Sequence, residues 1–239
     1  MQSEHRGNKK ARRAICFLAI AFCLSALPAM ADTLFSDLGP PGNPYDCCNG
    51  ATITGSGFPG GYSDIGASAF TVGGSGTFSV SQIDVGVGYV GSLHTFYASI
   101  WTDVGGLPGS QVSGAYWTNL VTNTQFGSCP PNCSNNGGLV TVSGISGVSL
   151  TGGQSYFMLV GPVNLNDDSW NAWNLNNQNQ NGITLYSIDG GATWNSRGIS
   201  PLDAFDVQGS ASVPEPGSLV LLGSGALGAI GVLRRKLIG

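Results

Sequence analysis

The central part of this sequence has almost no basic residues. Between residues 32 and 211 there is no lysine and no glutamate, and Arg197 and His94 are the single arginine and the single histidine. Eleven aspartates against that one arginine give these 180 residues a formal net charge of −10 at pH 7. Such an acidic segment excludes charge-driven binding to nucleic acid or to an anionic lipid surface. The shortage of His, Lys and Arg also leaves few groups for acid–base catalysis.

Good helix formers are scarce as well. Glycine supplies 38 of the 239 residues, and Ser, Thr and Asn fill much of the remainder. Glycine carries an entropic cost in a helix, and Ser, Thr and Asn compete for its backbone hydrogen bonds. Aromatic residues nevertheless recur along the whole segment, which is atypical of a disordered chain. The composition therefore indicates one folded domain of short strands and tight turns.

Alternating apolar residues support this prediction. From Phe78 to Tyr89 the apolar side chains follow a period of two, with one slip between Val80 and Ile83 that is typical of a β-bulge. A second strong run covers residues 94–102 and includes His94. Weaker candidate strands cover 112–121, 139–142, 156–160, 183–188 and 204–207. We predict an all-β domain over 32–211, an antiparallel β-sandwich of jelly-roll type.

The first 31 residues have the three parts of a secretory signal peptide. Five basic residues occur within the first 13 positions, and an apolar stretch follows from 14 to 27. Ala29 and Ala31 then provide the small side chains that a signal peptidase reads, which places cleavage before Asp32. An uncleaved anchor is the alternative. Either way, the sequence predicts export.

The C-terminal end, residues 213–239, contains a second apolar segment. It begins with Val213, Pro214, Glu215, Pro216 and Gly217, continues through 16 uncharged residues from 218 to 233, and ends with Arg234, Arg235 and Lys236. As a helix, residues 218–233 would be about 24 Å long, slightly shorter than a hydrocarbon core. The basic residues after this predicted transmembrane helix place the C-terminus in the cytoplasm and the body outside.

This tail resembles the PEP-CTERM sorting signal. The Pro-Glu-Pro triplet at 214–216, the glycine-rich apolar segment and the final basic cluster occur in that family's order. The resemblance implies an exosortase-like enzyme as a processing partner, which removes the tail and passes the protein to the cell surface or the extracellular matrix. A plain membrane anchor with an accidental Pro-Glu-Pro triplet is the alternative.

The body resembles the choice-of-anchor R domain. The segments that carry this likeness are LFSDLGP, ASAFTV, ASIWTDVGGLPGS, SYFMLVGP and YSIDGGATW, together with the tryptophans near residue 170. The family is a surface module that lies upstream of various anchors. The resemblance implies no established activity.

Four cysteines remain once the leading segment is excluded: Cys47, Cys48, Cys129 and Cys133. An even number in an exported domain favours disulfides, with three connectivities open. A zinc site is the weaker alternative, because the adjacent pair does not match the usual ligand spacing.

Residues 187–194 fit the Asp-box pattern Ser-x-Asp-x-Gly-x-Thr-Trp, which is a structural hairpin in sugar-active propellers. A single copy cannot build a propeller, since that fold repeats its blades at a regular period. We therefore interpret the motif as an isolated hairpin.

A candidate glycan contact lies in the asparagine-rich stretch from 164 to 181. Trp170 and Trp173 could stack on sugar rings while Asn side chains reach the hydroxyls, with Asp167 and Asp168 nearby. The alternative is that one tryptophan belongs to the core and that the asparagine-rich stretch is an ordinary long loop. The same oxygens could ligate Ca²⁺, but no EF-hand spacing is present. We otherwise predict no cofactor and no metal site.

These observations favour a non-enzymatic surface or matrix protein, exported and sorted through its tail, with exopolysaccharide as a further candidate partner. The rival hypothesis is a secreted glycan-binding, or less favourably glycan-cleaving, module that uses Trp170, Trp173 and the loop aspartates.

Overall fold

The computed structural model describes residues 32–127 and 138–212, together with their side chains except that of Cys47. Within these ranges the chain forms thirteen β-strands and no helix. In chain order the strands are β1 (Asp32–Ser36), β2 (Asp46–Thr54), β3 (Ile65–Thr71), β4 (Thr77–Tyr89), β5 (Phe96–Asp103), β6 (Pro108–Leu120), β7 (Leu139–Ser143), β8 (Ser149–Thr151), β9 (Ser155–Pro162), β10 (Trp170–Leu175), β11 (Asn181–Ser187), β12 (Asn195–Pro201) and β13 (Phe205–Ala211).

Seven of these strands form one antiparallel sheet around β4. The sheet runs β1-β13-β4-β10-β2. Strand β4 pairs with β13 and, at successive positions along its length, with β8, β7 and β10. The 13-residue β4 is therefore the centre of this sheet, and β2 lies at its far edge.

The other six strands form a second antiparallel sheet in the order β12-β11-β3-β9-β5-β6. In this sheet β9 lies between β3 and β5, and β12 is an edge strand. The two-sheet, sandwich-like, all-β architecture confirms the predicted fold class, whereas the finer jelly-roll assignment stays a prediction.

The main core lies between the two sheets and follows the period of two seen in the sequence. Ile83, Val85 and Val87 of β4 are completely buried, as are Phe96 and Ile100 of β5. Alternate residues of a strand point to opposite faces of the sheet, so each strand contributes every second side chain to this layer. Burial of such side chains stabilises the fold by about 1.5–3 kcal/mol each.

The slip in the β4 pattern is a bulge, as the sequence predicted. Gln208 of β13 is opposite Gln82, but the next residue, Gly209, is opposite Val80. Ser81 is therefore the extra residue, and it keeps both Val80 and Ile83 buried.

Two glycines on the outer face of β4 allow Tyr45 and Phe126 to pack closely against the sheet. A Cβ on Gly86 would lie 2.8 Å from the Tyr45 ring, and one on Gly88 would lie 3.0 Å from the Phe126 backbone. Side chains at these two positions would displace Tyr45 and Phe126, so the glycines permit close coverage of this face.

Six strands are not among the predicted ones: β1, β2, β3, β8, β10 and β12. Strand β10 contains two asparagines and falls in the predicted asparagine-rich loop, although it lies between β4 and β2. Strand β12 reads NSRGISP, has low β-propensity and is almost entirely exposed. Pairing with β11 holds it in the sheet.

Across the part of the chain that the structure describes, no helix has the length and apolar character needed to cross a membrane. The predicted signal peptide (1–31) and transmembrane segment (218–233) lie outside these residues.

Candidate functional site

The two tryptophans predicted as a glycan contact have different environments. Trp173 is completely buried, and its Nε1–H donates a hydrogen bond to the Ala204 carbonyl at 2.9 Å. Its ring lies 5.9 Å from that of Phe205 in the core. An enclosed ring offers no face for stacking on a sugar. The structure therefore corrects the idea of an exposed Trp170–Trp173 pair in favour of its alternative, a core tryptophan.

Trp170 is half-buried at the start of β10. Its ring packs against that of Phe58 at a centroid distance of 5.5 Å, and Phe58 contacts Tyr62 edge-on at 5.0 Å. Tyr62 is 42 % exposed. The aromatic surface at this position thus consists of Trp170 and Tyr62.

The aspartate and asparagine side chains before β10 are turn formers. The Asp167 carboxylate accepts the Ser169 N–H at 3.1 Å, and the Asn164 side-chain carbonyl oxygen accepts the Asn166 N–H at 3.0 Å. Such bonds are typical of Asx-turns. Among residues 32–127 and 138–212, no group of three His, Cys, Asp or Glu side chains is arranged to hold a metal ion.

The Asp-box motif forms the hairpin between β11 and β12, which confirms its structural interpretation. The Asp189 carboxylate accepts hydrogen bonds from the Ser187 hydroxyl at 2.7 Å, the Thr193 hydroxyl at 2.6 Å and the Thr193 N–H at 2.9 Å. The bonds from Thr193 lower the pKa of Asp189 from 3.8 to about 2. Trp194 packs on the outer face of the six-stranded sheet against a cluster that includes Leu185.

A cavity of about 350 Å³ lies at the side of the sandwich where β2 and β12, the edge strands of the two sheets, line the same space. Its volume is at the lower end of the range for ligand pockets, about 300–1,000 Å³. The polar residues that line it are Thr52 on β2, Thr184 on β11, Arg197 and Ser200 on β12, and Asp203 in the loop before β13.

Arg197 is the cationic group of this cavity. Its guanidinium lies 3.8 Å from an oxygen of Asp64 and 5.2 Å from the centroid of the Tyr186 ring. Its side chain is 28 % exposed. Within the described residues no acceptor lies at hydrogen-bonding distance from the guanidinium, although an arginine carries five N–H donors. These donors remain available to a molecule in the cavity.

Two buried carboxyl groups accompany Arg197. Asp203 is 1 % exposed and accepts a hydrogen bond from the Ser68 hydroxyl at 2.8 Å, while Asp64 is 6 % exposed. Each has one oxygen without a hydrogen-bond partner in the described part of the chain. Burial raises the pKa of Asp203 to about 6 and that of Asp64 to about 7, against the opposing charge of Arg197. The site thus combines one cation with two buried carboxyls whose pKa values are raised toward neutral pH.

Hydroxyl groups complete the cavity. The Thr184 and Ser200 hydroxyls, on neighbouring strands, form a hydrogen bond with each other at 2.6 Å. Sequence patterns do not reveal this site, because its residues come from β2, β11, β12 and the following loop. One signal was present: Arg197 is the single basic residue between 32 and 211 apart from His94.

A second set of buried carboxyls lies on the seven-stranded sheet. Asp84 and Asp206 are directly opposite each other on β4 and β13, and Asp37 accepts the Phe205 N–H at 2.8 Å. Burial raises the pKa of Asp37 to about 8 and that of Asp206 to about 7. Asp37 and Asp206 therefore keep their protons to a higher pH in the folded protein than in the unfolded chain.

Several predicted sites fall outside the described residues. They are the signal-cleavage positions Ala29 and Ala31, the sorting motif from Val213 to Gly217, the basic cluster Arg234, Arg235 and Lys236, and the cysteines Cys129 and Cys133. Cys47 and Cys48 lie on β2, where the Cys48 N–H donates to the Asp46 carboxylate at 3.1 Å. The disulfide hypothesis stays a prediction.

Comparison with known proteins identifies the tail. Residues 212–236 match the PEP-CTERM protein-sorting motif, which confirms the tail prediction. The resemblance of the body to the choice-of-anchor R domain is not confirmed. None of the curated proteins compared is similar to the chain.

One similar solved structure contains the cysteine protease and lectin-like domains of Cwp84, a surface layer associated protein of Clostridium difficile. The two chains share 11 % identity with a TM-score of 0.40, and the alignment covers 62 % of this chain and 32 % of the other. The chain therefore spans about a third of that protein's length, and no functional statement follows from this likeness.

The fold and the tail together define a class of protein: a β-sandwich domain followed by a C-terminal sorting region. The PEP-CTERM motif supports export and sorting by an exosortase-like system.

Proposed function

We propose that this chain is a non-enzymatic surface or extracellular-matrix protein whose tail is a temporary membrane anchor, removed by an exosortase-like enzyme. The observation that carries the proposal is the position of the sorting motif. Strand β13 ends at Ala211, and the motif begins at residue 212. The sandwich is thus complete before the processing signal starts, so removal of the tail would leave every described strand intact.

The topology follows from charge. In this proposal, residues 1–31 direct export and are cleaved after Ala31, and residues 218–233 cross the membrane. Arg234, Arg235 and Lys236 then stay on the cytoplasmic side. The body has almost no basic residues that would oppose translocation or hold it on an anionic membrane. After processing, the acidic domain would be free to enter the cell surface or the matrix.

The absence of enzymatic activity is part of the proposal. Most of the polar side chains described above have structural roles: Asp189 and Asp167 organise turns, and Asp37 is bonded to the β13 backbone. The remaining buried carboxyls lie within or between strands of the sandwich. The turn and backbone bonds of Asp189, Asp167 and Asp37 support a structural function for the domain.

Intact-mass measurement of the cellular and released protein tests the sorting proposal. Replacing both Pro214 and Pro216 by alanine should abolish tail removal, so that the protein accumulates with residues 213–239 attached. Ser218→Ala, just beyond the motif, is the matched control and should be processed normally. If the double variant were processed to the same terminus as the wild type, the motif would not be the signal. Deleting an exosortase gene from the producing cell should reproduce the variant phenotype.

A glycan-binding module remains the second candidate, supported by the exposed Tyr62 ring beside Trp170. Glycan-array binding that is lost in Trp170→Ala and Tyr62→Ala, while both variants keep the wild-type melting temperature, would favour it. Trp173→Ala is not informative here, because it removes a core side chain. If no glycan binds through these rings, the structural function stands.

A further inference from the structure

The cavity between β2 and β12 combines donors and acceptors in a way that the sorting function does not require. Arg197 provides N–H groups without a hydrogen-bond partner among the described residues. The Thr184 and Ser200 hydroxyls are hydrogen-bonded to each other, so the pair keeps one O–H donor and several acceptor lone pairs for a ligand. Asp203, at the buried side, has one oxygen without a partner among the described residues. The cavity therefore differs from a packing defect, which would be lined by apolar atoms.

The charges of the cavity restrict the ligand. An anion would face Asp203, which lines the cavity, and a cation would face Arg197 at close range. The Arg197 cation balances one of the two carboxylates, Asp64 and Asp203, so little net charge remains around the cavity. A neutral molecule avoids both penalties, since it need not leave a charge desolvated without an opposite partner.

The polar and apolar surfaces of the cavity further restrict which ligand can bind. The Thr184 and Ser200 hydroxyls are 2.6 Å apart, close enough to contact oxygens on neighbouring carbons of one ligand. Leu175 and Pro201 add apolar surface to the same cavity. Paired polar groups beside apolar patches match the surface of a sugar ring, which has hydroxyls at its edge and C–H groups on its faces.

We propose that this cavity binds a neutral sugar of one or two rings, with Arg197, Thr184 and Ser200 contacting its hydroxyls. The site is independent of the tail and of the Trp170–Tyr62 surface. It gives the displayed domain a specific carbohydrate ligand that the sorting function alone does not provide.

The test uses the protein purified in the form that the cells export, titrated calorimetrically with neutral monosaccharides and disaccharides. Glucuronic acid and glucosamine serve as anionic and cationic probes. At least one neutral sugar should bind more tightly than either charged probe. Thr184→Val keeps the shape of the side chain but removes its hydroxyl, and it should weaken binding about tenfold or more. Arg197→Met should weaken it further.

Two control variants show whether binding depends on this cavity. Thr71→Val removes one hydroxyl of another hydrogen-bonded Thr–Ser pair, formed with Ser155 on the same sheet at 3.0 Å but exposed and outside the cavity, and should leave binding unchanged. Trp170→Ala should also leave it unchanged, which distinguishes this site from the aromatic surface. The proposal is overturned if no neutral sugar binds at millimolar concentration, if Thr184→Val binds as the wild type does, or if glucuronic acid binds best. A melting temperature measured for each variant shows that the fold is kept.

Discussion

Replacing Asp37 by asparagine should remove part of the pH dependence of stability. Asp37 is completely buried after β1, with one carboxylate oxygen accepting the Phe205 N–H and the other without a partner in the described residues. Burial is the main reason that its pKa rises from 3.8 to about 8, and the neighbouring Asp203 and Asp206 add to the effect. The folded protein therefore keeps this proton up to about pH 8, whereas the unfolded chain releases it near pH 3.8.

This difference in pKa between the folded and unfolded states determines how stability changes with pH. Above pH 3.8 the unfolded state gains stability by ionising while the folded state does not, so the free energy of unfolding falls as the pH rises toward 8. One pKa unit corresponds to about 1.36 kcal/mol, so the ionisation of Asp37 lowers the free energy of unfolding by about 4 kcal/mol between pH 5 and pH 8.5. For a domain of this size that is roughly 10 °C in melting temperature. Asp64, Asp203 and Asp206 also have raised pKa values and act in the same direction.

Thermal unfolding followed by circular dichroism at pH 5 and pH 8.5 measures the effect. The wild type should melt at a clearly lower temperature at pH 8.5, and Asp37→Asn should reduce that difference by roughly 10 °C because asparagine does not ionise. Asp32→Asn is the matched control, since Asp32 is an exposed residue of the strand that precedes Asp37. The reasoning fails if the wild type is equally stable at both pH values, or if both variants show the same pH dependence.

Three further perturbations test the packing. Asn176→Ala should lower the free energy of unfolding by about 3 kcal/mol in a urea titration. The reason is that the buried Asn176 amide makes four hydrogen bonds to backbone groups. A loss below about 1 kcal/mol would contradict this role. Asp189→Ala should speed hydrogen exchange of the amides in the β11–β12 loop without lowering the global midpoint, and unchanged exchange would show that its bonds do not order the loop. Gly86→Ala should lower the free energy of unfolding by about 1–3 kcal/mol, because the new Cβ would clash with the Tyr45 ring. Gly73→Ala should be nearly neutral, because its Cβ would lie 3.6 Å from its nearest neighbour. Equal effects of the two variants would refute the packing argument.

Local patterns were sufficient to predict the strands whose side chains alternate. The period in β4 indicated both the strand and the bulge at Ser81, and the run in β5 was equally clear, because one face of each strand is buried against the other sheet. The same logic failed for β10. Asn171 and Asn174 are polar, yet both are buried there. Asn174 donates to the Gly86 carbonyl at 2.7 Å, a bond that depends on strand β4, 88 residues away.

The sequence alone determined the tail, the fold class and the Asp-box hairpin. Each depends on residues close together in the chain: the motif at 212–236, the alternation of single strands, and hydrogen bonds between Ser187, Asp189 and Thr193. Only the tertiary structure decided that Trp173 is enclosed and that Arg197 lies beside Asp64 and lines one cavity with Asp203. Those environments arise where strands distant in sequence pair across two sheets, and the order of the strands is fixed by packing that no local pattern contains.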